Sequence, residues 1–256
     1  MDKKKKRNII ILGILILVFV LSVGFIVGYV IKQKKAEDEY KDIKEKAKAT
    51  VQTEEKESEE QYESPIDFEE LWKTNEEIYA WIQIPGTDID YPIAQRADDD
   101  AYYLNHTIEG TEGLPGSIYT EAINNKDFTD FNTVIYGHNM KNGSMFAGLH
   151  KYEDEEFFKE NPYVYIYLPD KTLKYQIFAA VVFDDRHIMY NFNYNTTEGR
   201  QRFLDEIMGV RTMESRFDEA VEVGTDSNII TLATCIGSQP DNRWLVEAVL
   251  IDDGTK

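Results

Sequence analysis

One stretch near the C-terminus decides the fold prediction: Asn228-Ile-Ile-Thr-Leu-Ala-Thr-Cys235, then Ile236-Gly-Ser-Gln-Pro-Asp-Asn-Arg243, then Trp244-Leu-Val-Glu-Ala-Val-Leu-Ile251. Its first and last parts are rich in Ile, Leu, Val and Thr, which favour strands, and its middle part holds Gly, Ser, Pro and Asp, which favour turns. The pattern predicts strands over Asn228–Thr234 and Trp244–Ile251 with a loop between them. If these strands pair, Cys235 and Arg243 lie near each other at one end of a sheet.

Further strand-like segments lie upstream, and turn residues separate them. They are Ile89–Ile93, Gly116–Tyr119, Thr133–Tyr136, Tyr163–Leu168 and Thr172–Phe183. Pro169-Asp170-Lys171 has the composition of a hairpin turn between the last two. Several short strands of this kind favour a barrel or a sandwich, so we predict a mainly β domain.

Four segments of this domain have helical patterns. Ile66–Trp81 has large apolar side chains at spacings near three and four and acidic residues in its first turn, which predicts an N-terminal helix that ends before Pro85-Gly86. Ser144–Leu149 and Asp154–Glu160 predict short helices. Thr197–Arg211 predicts a longer helix, with Asn195 as its cap and with an apolar face of Phe203, Leu204, Ile207 and Met208.

The N-terminus predicts a membrane anchor. Residues 9–31 are 23 consecutive residues without a charge, which span roughly 34 Å as a helix and are enough to cross a bilayer. A cleaved signal peptide is the alternative, because Ser22-Val23-Gly24 resembles a cleavage site, but the apolar run is longer than the core of an ordinary signal. Five Lys and Arg precede the run and seven Lys follow it closely, so their count does not decide the orientation.

The distribution of charge predicts the organisation of the chain. Residues 1–7 form a basic tail, 8–31 the anchor, and 32–64 a charged stretch with few large apolar side chains, which predicts a solvated helical stalk or a flexible linker. We expect the folded domain over residues 65–256. The net charge of −19 argues against nucleic acid as a partner, because phosphate binding needs a basic face.

The single cysteine, Cys235, rules out an intramolecular disulfide and a cysteine-rich zinc site. The chain also lacks a P-loop, a G-x-G-x-x-G motif and the histidine spacing of a metal site. Cys235 is therefore either a reactive free thiol at the end of a strand or a buried core residue.

Two further residues are candidates for chemistry with Cys235. His138 follows a predicted strand in Val134-Ile-Tyr-Gly-His138-Asn-Met, and a histidine is the usual partner of a nucleophilic thiol. Arg243 can stabilise a thiolate or an oxyanion. Taken alone, a histidine in a turn is more often an ordinary surface residue, and an isolated arginine more often forms a surface salt bridge. All four histidines precede Cys235, which excludes a papain-like order.

Taken together, these residues resemble the sortases of Gram-positive bacteria, which are cysteine transpeptidases that attach proteins to the cell wall. The resemblance rests on Thr231-Leu-Ala-Thr-Cys235 with Arg243 eight residues later and Tyr136-Gly-His138-Asn-Met upstream, and it covers about Phe68 to Ile251. Asp90-Tyr-Pro-Ile, Tyr102-Tyr-Leu-Asn-His106, the N-terminal helical segment and the helix before the cysteine strand are similar to class B.

The resemblance implies a closed β-barrel of about eight strands with added helices, on an N-terminal single-pass anchor with its N-terminus in the cytoplasm and the domain outside the cell. It implies that Cys235 attacks the Thr carbonyl of a C-terminal sorting signal on a secreted protein and forms a thioacyl enzyme. His138 would act as general acid and base and Arg243 would hold the oxyanion. The accepting amine would come from a peptidoglycan precursor or a cross-bridge, and the reaction would need no metal and no organic cofactor.

One position departs from the class B pattern. Ala233 stands where Ser is frequent, so no hydroxyl is available there, and Thr234 is a weak candidate for substrate binding in its place. Two other functions remain open from the sequence. One is a membrane-anchored thiol peptidase that releases its product to water, and the other is a non-catalytic surface adhesin with a buried Cys235.

Overall fold

The computed structural model describes residues 3–49 and 62–254. Met1 and Asp2 of the expected basic tail and residues 50–61 of the expected stalk lie outside the described residues. The chain divides into two compact units, one that ends at Lys41 and one that begins at Asp42.

The first unit is the larger part of helix α1, Lys3–Ala49. The large apolar side chains between Ile9 and Ile31 are exposed on all sides of the helix. The hydroxyl of Ser22 donates to the Val18 carbonyl at 2.8 Å, so the hydrogen bond of this polar group stays within the helix. In the described part of the chain, α1 is the one helix long and apolar enough to cross a membrane.

The second unit consists of short helices and nine strands within its described residues. The helices are α2 (Phe68–Thr74), α3 (Glu155–Glu160), α4 (Ile188–Asn191) and α5 (Thr197–Gly209), with 3₁₀ helices at Tyr102–Leu104 and Phe146–Glu153. The strands are β1 (Ile78–Gln83), β2 (Asp90–Ala94), β3 (Ile118–Thr120), β4 (Asn132–Tyr136), β5 (Tyr163–Tyr167), β6 (Thr172–Asp184), β7 (Arg216–Phe217), β8 (Ile229–Ile236) and β9 (Gln239–Asp252).

Eight of these strands close a barrel in the order β5-β1-β2-β3-β4-β8-β9-β6, because β6 also pairs with β5. Strand β7 adds to the outside of β6. Strand β8 runs parallel to β4 and antiparallel to β9, so it lies between the strand that precedes His138 and the strand that carries Arg243. The prediction of a mainly β closed barrel of about eight strands with added helices is confirmed.

Helix α5 covers one side of the barrel. Its Phe203, Leu204 and Ile207 are buried in a cluster with residues of β6, β8 and β9, and Met208 packs against the edge of that cluster. The helix thus lies where its predicted apolar face requires. Its cap is Thr196 rather than Asn195, since the Thr196 hydroxyl accepts from the Gly199 N–H at 3.1 Å.

The predicted N-terminal helix over Ile66–Trp81 is wrong in its second half. Helix α2 starts after Asp67, whose carboxylate accepts from the Glu70 N–H at 2.8 Å, and it ends at Thr74. Strand β1 follows from Ile78, and its side chains are buried on both faces. Continuous burial of this kind leaves no alternation in the sequence, so the spacing of the large residues fits a helix by coincidence.

Other boundaries differ from the predictions by a few residues. A 3₁₀ helix over Phe146–Glu153 replaces the short helix predicted over Ser144–Leu149. Strand β8 continues through Cys235, and β9 begins at Gln239, so Gly237 and Ser238 alone join them. Cys235 and Arg243 therefore both lie within the paired strands and not in a loop.

The compact second unit includes residues 42–49, which lie upstream of the expected domain start at Pro65. Within it, Lys44 and Lys48 form salt bridges of 2.5 and 2.7 Å with Asp90, and the Trp81 indole donates to the same carboxylate at 2.7 Å. Burial alone would raise the pKa of Asp90, but these hydrogen bonds outweigh burial and lower it. Ile43 and Ala47 are buried beside this cluster of charges.

Candidate active site

Cys235 is the next-to-last residue of β8, and its side chain is exposed. We call this end of the β8–β9 ladder the open end. The alternative that this cysteine fills the core is therefore wrong. Its partner across the β8–β9 ladder is Arg243. Opposite residues of an antiparallel pair have Cα atoms about 4.5–5.5 Å apart, so the backbone positions of Cys235 and Arg243 lie side by side.

His138 reaches the same end of the sheet by way of β4. Tyr136 pairs with Ala233 of β8, and the Gly137 N–H donates to the Ala233 carbonyl at 3.2 Å. His138 lies two residues after Tyr136, and Cys235 lies two residues after Ala233, so the parallel strands place His138 level with Cys235. Gly137 is required by close packing, because a Cβ there would lie 2.5 Å from Ile118.

A main-chain acceptor fixes the His138 ring. Its Nε2–H donates to the Leu104 carbonyl oxygen at 2.7 Å, which makes Nε2 the protonated nitrogen. Among the described residues, no hydrogen bond joins the ring to the Cys235 thiol. Catalytic hydrogen bonds are often long in a free enzyme and tighten when substrate binds, so this geometry is consistent with a resting site.

Arg243 is half-buried, and its Nη1 donates to the carbonyls of Pro240 and Asn242 at 3.0 and 2.9 Å. Within residues 3–49 and 62–254 it forms no ion pair with a carboxylate. The described residues thus give no support to the alternative of a surface salt bridge. Among the described residues no carboxylate compensates its positive charge, and in the cleft that it shares with Cys235 this charge can stabilise an anion.

A cleft of about 430 Å³ contains all three candidates in its lining. Tyr119, Tyr136 and Ile188 give it an apolar wall, and burial raises the pKa of both tyrosines. Farther along, Glu121 and His187 form a pair with 2.9 Å between Oε1 and Nε2. Burial raises the pKa of Glu121, and the hydrogen bond from His187 opposes this only in part.

Thr234, the weak candidate for substrate binding, also lines the cleft. Its side chain is buried, and its hydroxyl donates to the Gly137 carbonyl at 2.7 Å. The hydroxyl therefore ties β8 to the turn that carries His138, and it is already engaged with the main chain.

The sequence did not indicate several residues around the site. Leu104 acts through its carbonyl, which no residue pattern reveals. Gly116 has a φ of +65°, and a Cβ there would lie 2.6 Å from the Leu104 oxygen and 3.1 Å from the His138 ring. Asn139 donates to the Cys235 carbonyl at 3.0 Å and lies 3.0 Å from His150. The one available signal was the place of Asn139 directly after His138.

Comparison with known proteins agrees with this geometry. The family model for the sortase domain matches residues 82–251. The sortase B of Listeria monocytogenes serovar 1/2a is 37% identical over 169 residues, which are 66% of this chain and 67% of that protein.

Two solved structures have the same fold. A complex of Staphylococcus aureus sortase B with substrate has a TM-score of 0.73 and 25% identity, covering 87% of this chain and 99% of that one. A crystal structure of a sortase B complexed with triglycine has a TM-score of 0.72 and 25% identity, covering 86% and 99%. The chain therefore belongs to the sortase family of cysteine transpeptidases, within class B.

Proposed function

We propose that this sortase cleaves a C-terminal sorting signal after Thr and transfers the new carboxyl end of the secreted protein to a peptidoglycan amine. The observation that carries the proposal is that one cleft brings together Cys235, His138 and Arg243. The related structures support both halves of the reaction, since one contains a substrate and the other contains triglycine.

In the first half-reaction, the Cys235 thiol gives its proton to Nδ1 of His138, the sulfur attacks the Thr carbonyl carbon, and the carbonyl oxygen becomes an oxyanion. Arg243 donates hydrogen bonds to this oxyanion, where a preorganised cation lowers the barrier most. The C–N bond then breaks, and protonated His138 gives its Nδ1 proton to the leaving amine, because its Nε2–H is held by Leu104. A thioacyl enzyme results.

In the second half-reaction, an amine of a peptidoglycan precursor or cross-bridge attacks the thioester. His138 takes the proton from the attacking nitrogen, Arg243 again holds the oxyanion, and the Cys235 thiolate leaves. The exposure of Cys235 gives the amine a path to the thioester. The products are an amide and the regenerated enzyme, so the reaction requires no other reactant.

Product analysis tests this proposal. The full chain in detergent is incubated with a library of sorting peptides, with and without oligoglycine or a diaminopimelate-containing peptide, and the products are identified by mass spectrometry. We expect an amide product that depends on the amine, and no product from Cys235→Ala. Release of free acid with every amine would instead indicate a thiol peptidase, and no acyl enzyme at all would favour a non-catalytic adhesin.

We also propose that residues 8–31 span the cell membrane once, with residues 1–7 in the cytoplasm and the catalytic domain outside. Support comes from α1, because its apolar side chains are exposed around the whole helix and such a surface is stable in lipid. Residues 32–41 of the expected stalk continue the same helix.

The single cysteine makes the topology testable without further mutation. Cys235 is exposed, so a membrane-impermeant maleimide added to intact cells should label it if the domain is outside. We expect labelling before lysis equal to labelling after lysis. Labelling that requires lysis would place the domain on the cytoplasmic side.

A further inference from the structure

The carbonyl oxygen of Cys235 lies within hydrogen-bond distance of two side chains from a separate part of the chain. Asn139 Nδ2 lies 3.0 Å from it, and His150 Nε2 lies 3.1 Å from it. The two side chains are 3.0 Å apart, and His150 Nδ1 lies 2.6 Å from a carboxylate oxygen of Glu153. These contacts form a chain of polar groups from Glu153 to the main chain of the nucleophile.

One arrangement of protons satisfies this chain. The Nδ1–H of a neutral His150 ring donates to Glu153, and its Nε2 accepts one N–H of the Asn139 carboxamide. The second N–H of Asn139 then donates to the Cys235 carbonyl. In this arrangement Asn139 alone donates to the Cys235 carbonyl, because a neutral imidazole that donates from Nδ1 has only an acceptor at Nε2. His150 then acts on Cys235 through Asn139.

The members of this chain are held in place by packing. His150 stacks on Trp244 with ring centroids 5.9 Å apart and an interplanar angle of 20°. The Trp244 indole donates to the Leu149 carbonyl at 2.9 Å, which attaches the 3₁₀ helix of His150 to β9. The loop of Asn139 is closed by the Phe146 N–H, which donates to the His138 carbonyl at 2.9 Å.

We infer that Asn139, His150 and Glu153 form a positioning relay, which keeps Cys235 aligned with His138. The thiol and the His138 ring share no hydrogen bond in the described residues, so their alignment depends on the two main chains that carry them. Asn139 is the residue after His138 and bonds directly to Cys235, and it therefore joins these main chains at the point of reaction. The inference rests on the proposed thioacyl chemistry.

Two variants of the full chain in detergent test the relay. Asn139→Asp keeps the shape of the side chain but removes the N–H donors, and His150→Phe keeps the ring on Trp244 but removes both nitrogens. We expect each to lower kcat for release of the leaving peptide by about ten- to a hundredfold, since a small misalignment has effects of that size, with KM within about twofold. The double variant should lose no more kcat than the single variant with the larger loss, because both act through one carbonyl.

A matched control lies at the opposite end of β8. Asn228 Nδ2 donates to the carbonyls of Thr129 and Asp130, both at 3.0 Å, so Asn228→Asp removes the same kind of hydrogen bond far from the site. We expect its kcat to stay within about twofold of the unmodified chain. Thermal unfolding of every variant is measured in parallel.

Glu153→Gln keeps the test decisive if the other two variants fail to fold, because Glu153 is only half-buried. We expect about a threefold lower kcat at unchanged KM, because the neutral amide holds the ring orientation less firmly than the carboxylate. The relay is overturned if kcat stays within twofold in the folded variants, if Asn228→Asp loses as much, or if the double variant shows the product of the single effects.

The leaving-peptide assay also separates this inference from the proposed function. Release of the leaving peptide reports acylation of Cys235, whether the acyl group then passes to water or to an amine. A chain that acylates but only hydrolyses would contradict the transpeptidase proposal and still allow the relay to be measured. Equal acylation by the relay variants and the unmodified chain would overturn the relay alone.

Discussion

Two residue pairs lie four positions apart on the same β8–β9 ladder, and they have opposite environments. Thr231 faces Glu247, and Cys235 faces Arg243. Each pair joins a hydroxyl or thiol to an ionisable side chain. The first pair is fully buried, whereas Cys235 is exposed and Arg243 lines the cleft. The ladder thus places similar partners in a closed interior and in an open site.

The buried pair shows what desolvation does to a charge. Burial raises the pKa of Glu247 to about 8, and the hydrogen bond from Thr231 only partly offsets it. Its Oε1 has no hydrogen-bond partner among the described residues, which also favours the neutral acid. A neutral Glu247 can donate to Thr231 at 2.7 Å, and Thr231 can donate to Asn132 at 3.0 Å. Burial thus disfavours an ionised side chain at Glu247, whereas Arg243 lines the cleft at the other pair.

Removal of the cation at the open end should have the largest effect. We expect Arg243→Gln to lower kcat for acylation by about 10²–10³-fold, because the oxyanion loses a charged donor. Arg243→Lys should recover only part of this loss, since an ammonium lacks the planar fork of the guanidinium. Steady-state kinetics of leaving-peptide release measures both.

A matched arginine provides the control. Arg202 lies on the exposed side of α5, bonds to Glu206 at 3.2 Å and is not among the residues that line the cleft. Arg202→Gln should leave kcat within about twofold. Equal losses in Arg243→Gln and Arg202→Gln would show that the charge beside Cys235 has no special role in the reaction.

The buried pair should control stability through pH. Because the folded pKa of Glu247 lies above its ordinary value of 4.5, the folded state holds the proton more tightly than the unfolded state. The protonated Glu247 therefore contributes fully to the stability of the folded state below pH 4.5, and this contribution is lost as pH rises through about 8. Between these two values the free energy of unfolding falls by up to about 1.4 kcal/mol per pH unit. Glu247→Gln cannot titrate and lacks this dependence.

Denaturant unfolding of the second unit, followed by tryptophan fluorescence, measures the effect. We expect the stability of the unmodified chain relative to Glu247→Gln to fall steadily between pH 5 and pH 8. Taking the difference cancels the contributions of the other carboxylates. A difference that stays constant over this range would mean that Glu247 is ionised in the folded protein.

A side chain at Gly116 should disturb both the stability of the fold and the position of His138. A Cβ would lie 2.6 Å from the Leu104 carbonyl, which is main chain and cannot move aside, and the φ of +65° is itself unfavourable for Ala. We expect Gly116→Ala to lower the free energy of unfolding by about 1–3 kcal/mol and to lower kcat, because Leu104 holds His138. Gly237→Ala, where a Cβ has open space, is the control for stability.

The sequence predicted the relation between Cys235 and Arg243 because strand pairing follows from local pattern and spacing. It could not predict the partners of His138 or Asn139, since a main-chain carbonyl 34 residues away and a 3₁₀ helix come together only in the folded barrel. It was also wrong for Trp81, because a strand buried on both faces has no alternating pattern. Local periodicity therefore shows which strands form, and the side-chain network between them requires the structure.

Thr234 should show the smallest effect, and it separates a substrate contact from a structural one. Its hydroxyl donates to Gly137 at 2.7 Å between the turn of His138 and the strand of Cys235. Thr234→Val keeps the shape and removes this bond, so we expect a loss of about 1 kcal/mol in the free energy of unfolding with KM for the sorting peptide unchanged. Thr234→Ser, which keeps the hydroxyl, should recover most of the stability. A rise in KM without a change in stability would instead assign the hydroxyl to the substrate. Thr234 would then exchange its hydrogen bond with Gly137 for one with the sorting peptide when the peptide binds.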